Sequence, residues 1–97
     1  MATFISLISI TNRGEEEIQK TVDRANAFRQ EAEKVGASVK DVYWTLGNYD
    51  GVLVFDAPDE QTATALMLSL GSKGNVRTQT LTAFNDGQMK TILDRVS

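Results

Sequence analysis

The chain has 97 residues, 41% of them hydrophobic and 24% charged, which predicts one soluble domain spanning residues 1–97. It contains neither cysteine nor histidine. Disulfides, catalysis by a thiolate or an imidazole, and metal binding through either of these groups are therefore excluded. Its net charge of −3 argues against nucleic acid and anionic membrane as partners, because phosphate binding needs clustered Lys and Arg.

Neither a targeting segment nor a bound group is predicted. The N-terminal stretch MATFISLISI lacks a basic start and is soon followed by charged residues, unlike a signal peptide. No apolar run approaches the roughly 20 residues of a membrane-spanning helix, so we expect a cytoplasmic protein with no membrane partner. The acidic residues Glu15–Glu17 and Asp59-Glu60 are explained by the dipoles of the helices that they begin. We therefore predict no metal site and no cofactor.

The first strand and the first helix come from the N-terminal third. Thr3–Ile10 is apolar on both faces, which is typical of a strand that is covered on both sides. Asn12 and Glu15 fit a capping box, and a helix is predicted from there to about Val35. Gly36 then ends the helix. Its apolar residues recur at spacings of three and four, as Ile18, Val22, Ala25, Phe28, Ala32 and Val35.

The second predicted strand, Val39–Leu46, has two different faces. One face is mostly apolar and is expected to meet the helices; it holds Lys40, Val42, Trp44 and Leu46. The other face is amphipathic and is expected to meet a cavity or a partner subunit; it holds Val39, Asp41, Tyr43 and Thr45.

A turn at Gly47–Gly51 joins this strand to the next one. It is either a tight hairpin that uses positive φ at Asp50 and Gly51, or a longer loop that also uses Gly47. The segment that follows, Val52–Asp56, is a short continuous apolar run, which is typical of a central buried strand.

A second helix, a fourth strand and a short third helix complete the chain. The second helix begins at Ala57–Pro58 and ends at the glycines of Gly71–Gly74. Its buried stripe consists of Ala63, Leu66, Met67 and Leu70. Asn75–Phe84 is the fourth strand. A capping box at Asn85 and Gln88 starts a C-terminal helix that can dock on its own domain or on a neighbour. The apolar side of this helix holds Met89, Ile92, Leu93 and Val96.

The order β-α-β-β-α-β with a terminal helix predicts an α+β, ferredoxin-like fold, with a four-stranded antiparallel sheet and both helices on one face. The other face then needs a cover, because two strands are apolar on both sides. We expect a homodimer or a higher homo-oligomer through this face, in the form of a dimeric α+β barrel. The RNA-recognition motif has the same element order, but Val and Leu stand where its aromatic residues are needed, next to an acidic residue.

Two segments resemble the GYD domain family. The run YWTLGNYD at residues 43–50 contains Gly47, Tyr49 and Asp50, with Asn48 inserted, which match the Gly–Tyr–Asp signature of that family. The run LGSKGNVRTQTL at residues 70–81 is similar to the segment that leads into its fourth strand. With the N-terminal strand, the resemblance covers nearly the whole chain. It implies a ferredoxin-like fold of the dimeric α+β barrel type and no particular activity, since the family is largely uncharacterised.

Five residues are candidates for ligand binding, namely Tyr43, Trp44, Tyr49, Asp50 and Arg77. The phenol of Tyr49 and the carboxylate of Asp50 could act as donor and base, or could be a packing residue and a turn residue. Tyr43 and Trp44 could line an apolar pocket, or could belong to the core or an interface. Arg77 could receive the carboxylate of an anionic ligand, or pair with Asp41 or Asp50.

Two hypotheses about function follow. In the first, the protein is a small homo-oligomeric domain that binds a small organic ligand in a cleft or at the dimer seam, and it could have cofactor-independent enzymatic activity. In the second, it is a non-enzymatic structural or regulatory module, and its aromatic residues serve the core and the interface. The sequence assigns no catalytic residue.

Overall fold

The computed structural model describes residues 1–96, which form one four-stranded sheet and four α-helices. The strands are β1 (Ala2–Ile10), β2 (Ser38–Trp44), β3 (Gly51–Ala57) and β4 (Val76–Ala83). The helices are α1 (Asn12–Glu16), α2 (Thr21–Lys34), α3 (Glu60–Ser72) and α4 (Asp86–Leu93), and the 3₁₀ turn Ile18–Lys20 separates α1 from α2.

The sheet has the strand order β2-β3-β1-β4, and each neighbouring pair is antiparallel. Helix α2 leads from β1 to β2, and α3 leads from β3 to β4, so the two central strands are the first and third in the sequence. This is the ferredoxin-like arrangement, and the predicted fold class is confirmed.

The prediction for the first helix was wrong about its start and its continuity. Its N-cap is Thr11 rather than Asn12, because the Thr11 hydroxyl accepts a hydrogen bond from the Gly14 N–H at 3.2 Å. The helix breaks at Glu17, whose φ of −122° and ψ of 38° lie outside the helical region, and it resumes after the 3₁₀ turn. The predicted apolar stripe therefore begins in the 3₁₀ turn, at Ile18, and continues in α2.

The end of α2 follows the prediction. Gly36 adopts a φ of 80°, its N–H donates to the Glu33 carbonyl, and the Ala37 N–H donates to the Ala32 carbonyl. This pair of hydrogen bonds is a Schellman motif, which a glycine allows without strain.

Gly14 is the point where α1 meets the start of β4. The Thr11 N–H donates to the Asn75 carbonyl at 3.0 Å, and the Thr11 hydroxyl donates to the Gly74 carbonyl at 2.6 Å. A Cβ atom on Gly14 would overlap the main-chain oxygen of Asn75 and crowd Ile10. The close approach of the two segments therefore requires a glycine at this position.

The caps of α3 and α4 account for where these helices begin. Asp59 caps α3 by accepting from the Thr62 N–H at 2.7 Å, so Pro58 precedes the cap instead of lying in the first turn. At α4, Asn85 and Gln88 form the predicted capping box, with both reciprocal hydrogen bonds present.

The second strand contains a β-bulge that the alternation did not predict. The register shifts between Val39 and Asp41, which leaves Lys40 without a partner on β3. Val39 therefore pairs with Phe55 on the helix-covered face, and not on the side of Tyr43 as predicted. After the bulge the predicted faces are correct for Asp41 and Tyr43, which lie on the face of β2 that does not meet the helices.

The hydrophobic core lies between the sheet and the helices α2 and α3. The ring of Phe55 stacks on Phe4 with centroids 5.5 Å apart and meets Phe28 edge-on at 6.4 Å. Leu66 of α3 is buried against the same cluster. Burying side chains of this size contributes roughly 1.5–3 kcal/mol each.

The second face of the sheet, here called the open face, is not covered by α2 or α3. Its central positions are apolar and half-buried, and they are Ile5, Leu7, Val52 and Val54. At its edges Leu81 is 48% exposed and Tyr43 is 60% exposed. Helix α4 packs only marginally on the rest of residues 1–96, and its Met89 and Leu93 are exposed. The expected apolar side of this helix is thus unpartnered within one chain.

Candidate functional site

The loop between β2 and β3 is closed by its own hydrogen bonds. The Thr45 N–H donates to the Asp50 carbonyl at 2.9 Å, and the Thr45 hydroxyl donates to the Tyr49 carbonyl at 2.7 Å. Gly47 supplies the positive φ, at 113°, whereas neither Asp50 nor Gly51 has one. The longer of the two predicted turns is therefore the one that forms.

Asp50 serves as a structural cap on the edge of β1. Strand β3 begins at Gly51, opposite Ile8, so the next part of β1 has no strand partner on that side. The Asp50 N–H donates to the Ile8 carbonyl at 2.8 Å, and the Asp50 carboxylate accepts from the Ile10 N–H at 2.7 Å. The carboxylate thus satisfies a main-chain donor that would otherwise lack a partner.

Tyr49 points to the opposite side of the same loop. Its hydroxyl donates to the Gln79 side-chain oxygen at 2.7 Å. Gln79 pairs with Leu7 and so belongs to the open face. Neighbouring residues of an extended segment point to opposite sides, and Tyr49 and Asp50 accordingly do not act on one ligand together.

A cavity of about 240 Å³ lies between α2 and the end of the sheet near this loop. Its apolar walls include Ile8, Ile10, Phe28, Val42, Leu53 and Leu70. The small residues Ala25 and Gly51 also line it. Asp50 and Asn75 bring polar groups to the same cavity.

Trp44, Arg24 and Lys73 also border the cavity. The indole N–H of Trp44 donates to the Thr21 hydroxyl at 2.9 Å, which fixes the ring between β2 and α2. The Arg24 guanidinium makes only long contacts, at 3.4 Å, with the Gly14 carbonyl and the Glu17 carboxylate.

Lys73 is held more firmly than Arg24. Its ammonium lies 2.9 Å from the Glu31 carboxylate, which also accepts from the Ser69 hydroxyl at 2.5 Å. The Ser69 hydrogen bond and the Lys73 ammonium lower the pKa of Glu31 below its usual value. Glu31 therefore remains a carboxylate at neutral pH and keeps Lys73 paired.

The five predicted site residues divide between two surfaces. Trp44 and Asp50 line the cavity. Tyr43 borders the cavity too, but its pairing with Val52 puts its side chain on the open face. Tyr49 and Arg77 belong to the open face as well, and none of the ion pairs within residues 1–96 involves Arg77. These residues therefore do not converge on one site.

The five candidates from the sequence do not include four polar residues of the cavity wall, namely Thr21, Arg24, Lys73 and Asn75. They come from α2, from the C-cap of α3 and from the start of β4, and no local pattern connects them. Within residues 1–96 there is no group of three or more acidic side chains placed to hold a metal ion. Over the same residues, no helix has the length and apolarity needed to cross a bilayer.

Comparison with known proteins gives one family and several similar structures. The model of the GYD domain matches residues 4–93. The "Glutamine synthetase and cystathionine beta-lyase binding protein" of Thermus thermophilus is 42% identical over 84 residues, which cover 86% of this chain and 88% of that protein.

Two crystal structures share the fold. TTHA0845 from Thermus thermophilus has a TM-score of 0.56 and 25% identity, over 88% of this chain and 95% of its own. The hypothetical protein PHS023 from Pyrococcus horikoshii has a TM-score of 0.57 and 16% identity, over 89% and 93% of the two chains. At 16% identity the second likeness concerns the fold alone.

Proposed function

Since this chain belongs to the GYD domain family, we propose that it is a homodimeric, non-catalytic binding protein whose partners are cytoplasmic enzymes. The observation that carries the proposal is its 42% identity to a protein named for binding glutamine synthetase and cystathionine beta-lyase. The likeness extends over 88% of that relative, so it involves the whole domain and not one motif.

The geometry of the loop favours binding over catalysis. A donor and a base that act on one substrate must face the same space. One oxygen of the Asp50 carboxylate is committed to the Ile10 N–H, and the Tyr49 hydroxyl is committed to Gln79. Both groups therefore have structural partners, and they face different sides of the sheet.

The open face supports self-association as a part of this function. A sheet that faces water on one side normally alternates apolar and polar residues. Here the outward positions of the central strands are Ile5, Leu7, Val52 and Val54. A second copy with the same face would cover them by a two-fold contact, as in a dimeric α+β barrel.

Light scattering coupled to size-exclusion chromatography tests the dimer, with two matched variants. Leu81→Lys places a charge on the open face, and Leu68→Lys places one on the outer side of α3, where Leu68 is 69% exposed. We expect the parent chain and Leu68→Lys to run as dimers and Leu81→Lys to run as a monomer. A monomeric parent chain at high micromolar concentration would contradict the proposal.

Binding to enzymes is tested with glutamine synthetase and cystathionine beta-lyase from the organism of this chain. Each enzyme is immobilised, and the purified protein is passed over it in biolayer interferometry. We expect saturable binding to at least one enzyme, with Leu68→Lys and Leu81→Lys showing whether α3 or the open face contributes. If a folded protein binds neither enzyme at high micromolar concentration, the proposal fails.

A second candidate function is the binding of a small organic molecule, and the cavity beside α2 favours it. Ligand sites are mostly apolar and carry a few convergent polar groups, as this cavity does. Native mass spectrometry of the protein purified from its host tests this candidate. A reproducible added mass that disappears on denaturation supports it, and a mass equal to the polypeptide alone in every preparation counts against it.

A further inference from the structure

We propose that the cavity beside α2 binds a small monocarboxylate with an apolar body, and that Arg24 anchors the carboxylate. This inference rests on the second candidate function and names its ligand class. It is independent of whether the protein also binds an enzyme.

The size and walls of the cavity define the apolar body of the ligand. A dry cavity of about 150 Å³ lined by aliphatic and aromatic side chains admits benzene. The cavity here has about 240 Å³ and walls such as Ile10, Phe28 and Val42, so it has room for one ring and a short chain. Filling it with such a body also restores packing contacts that the surrounding side chains lack.

The charges around the cavity favour an anionic head. Two cations, Arg24 and Lys73, and one anion, Asp50, border it, and the carboxylates that pair with the two cations, Glu17 and Glu31, are not among its lining residues. One oxygen of the Asp50 carboxylate is already hydrogen-bonded to the Ile10 N–H. A ligand carboxylate at the rim can therefore replace Glu17 as the partner of Arg24, whereas an ammonium group there would meet the two cations.

Arg24 is better suited than Lys73 to hold that carboxylate. Lys73 is engaged at 2.9 Å with Glu31, and the lowered pKa of Glu31 keeps this partner charged. The contacts of Arg24 with Gly14 and Glu17 are both 3.4 Å long, and the Glu17 side chain is 55% exposed. A guanidinium has five N–H donors and binds a carboxylate through two parallel hydrogen bonds. Arg24 can thus exchange weak contacts for strong ones.

Trp44 provides a direct readout, because it is the single tryptophan of the chain and it borders the cavity. The test is a titration of its fluorescence in the full-length protein with 3-phenylpropionate. The matched neutral probe is 3-phenyl-1-propanol, which has the same ring and chain length without the charge. We expect both to bind saturably and the carboxylate to bind at least tenfold more tightly.

Three variants separate the parts of the inference. We expect Arg24→Gln to remove the tenfold preference for the carboxylate while leaving the affinity for the alcohol unchanged, and Lys73→Gln to retain most of the preference. Ala25→Leu fills the cavity and is expected to abolish binding of both probes. Equal affinities in the parent chain, or a preference that survives Arg24→Gln, would overturn the carboxylate assignment while leaving ligand binding intact. If neither probe binds, the ligand class assigned to the cavity is wrong.

Discussion

Replacing Asp50 by alanine tests whether this carboxylate holds the fold together. Its side chain accepts the Ile10 N–H at 2.7 Å, at the point where β3 no longer pairs with β1. A hydrogen bond to a charged group contributes about 1.5–3 kcal/mol, and its loss leaves the main-chain donor without a partner. We expect Asp50→Ala to lower the free energy of unfolding by about 1.5–3 kcal/mol. For a domain of this size that corresponds to a fall of about 6–24 °C in Tm.

The assay is urea unfolding at one fixed protein concentration, because self-association makes stability depend on concentration. Asp50→Asn is the matched control, since its amide oxygen still accepts from Ile10 without the charge, and it should lose only about 1 kcal/mol. Tyr49→Phe removes a hydroxyl from an exposed hydrogen bond and should cost less than about 1 kcal/mol. Asp50→Ala within about 0.5 kcal/mol of the parent chain would refute the structural role.

Three further predictions concern the supporting structure. Gly14→Ala should lower the free energy of unfolding by about 1–3 kcal/mol, because its Cβ overpacks against the start of β4. At Gly71 a Cβ meets nothing within 4 Å, so Gly71→Ala should raise the free energy of unfolding by about 0.5–1 kcal/mol. Urea unfolding of the two variants measures both changes. The Thr3 hydroxyl lowers the pKa of Asp56, so Thr3→Val should lose about 1 kcal/mol at neutral pH, and the difference should vanish as the pH falls through the lowered pKa. Asn85→Ala removes the cap of α4 and should speed amide hydrogen exchange in α4 about fivefold, with exchange in β1 unchanged.

Much of the fold could be predicted because its signals are local. The helix C-terminus at Gly36 and the capping box at Asn85 depend on residues within one or two turns. The break after α1 was missed because it depends on a distant contact, in which Thr11 and Gly14 are held against Asn75. The predicted apolar stripe starts at Ile18, after the break at Glu17, and therefore gives no sign of it.

The bulge in β2 had a signal that strict alternation overlooked. Val39 and Val42 both pack on the core, although residues three apart in a regular strand point to opposite faces. Two half-buried valines that pack on one face at that spacing require one extra residue between them, and Lys40 is that residue. The spacing of three between Val39 and Val42, with a polar residue after Val39, was therefore the sequence signal for the bulge.

The candidate site could not be assembled from the sequence. The partner of Asp50 lies 40 residues earlier in the chain, and that of Tyr49 lies 30 residues later. The cavity is lined by residues from separate elements, such as Ala25 of α2 and Gly51 of β3. A search for reactive residue types selects neither of them, nor does it select an arginine whose other contacts are weak.

The two sides of β3 support the proposed self-association. Toward the helices, Leu53 and Phe55 are 2% and 0% exposed, so the core of one chain is already complete. On the other side, Val52 and Val54 are only half-buried, and threonine or another polar β-former would suit a surface facing water. Apolar residues there add nothing to the core of a monomer, but they would stabilise an assembly in which a second open face covers them. We therefore propose that self-association depends on these outward-facing valines, and not on the tyrosine and aspartate of the adjoining loop.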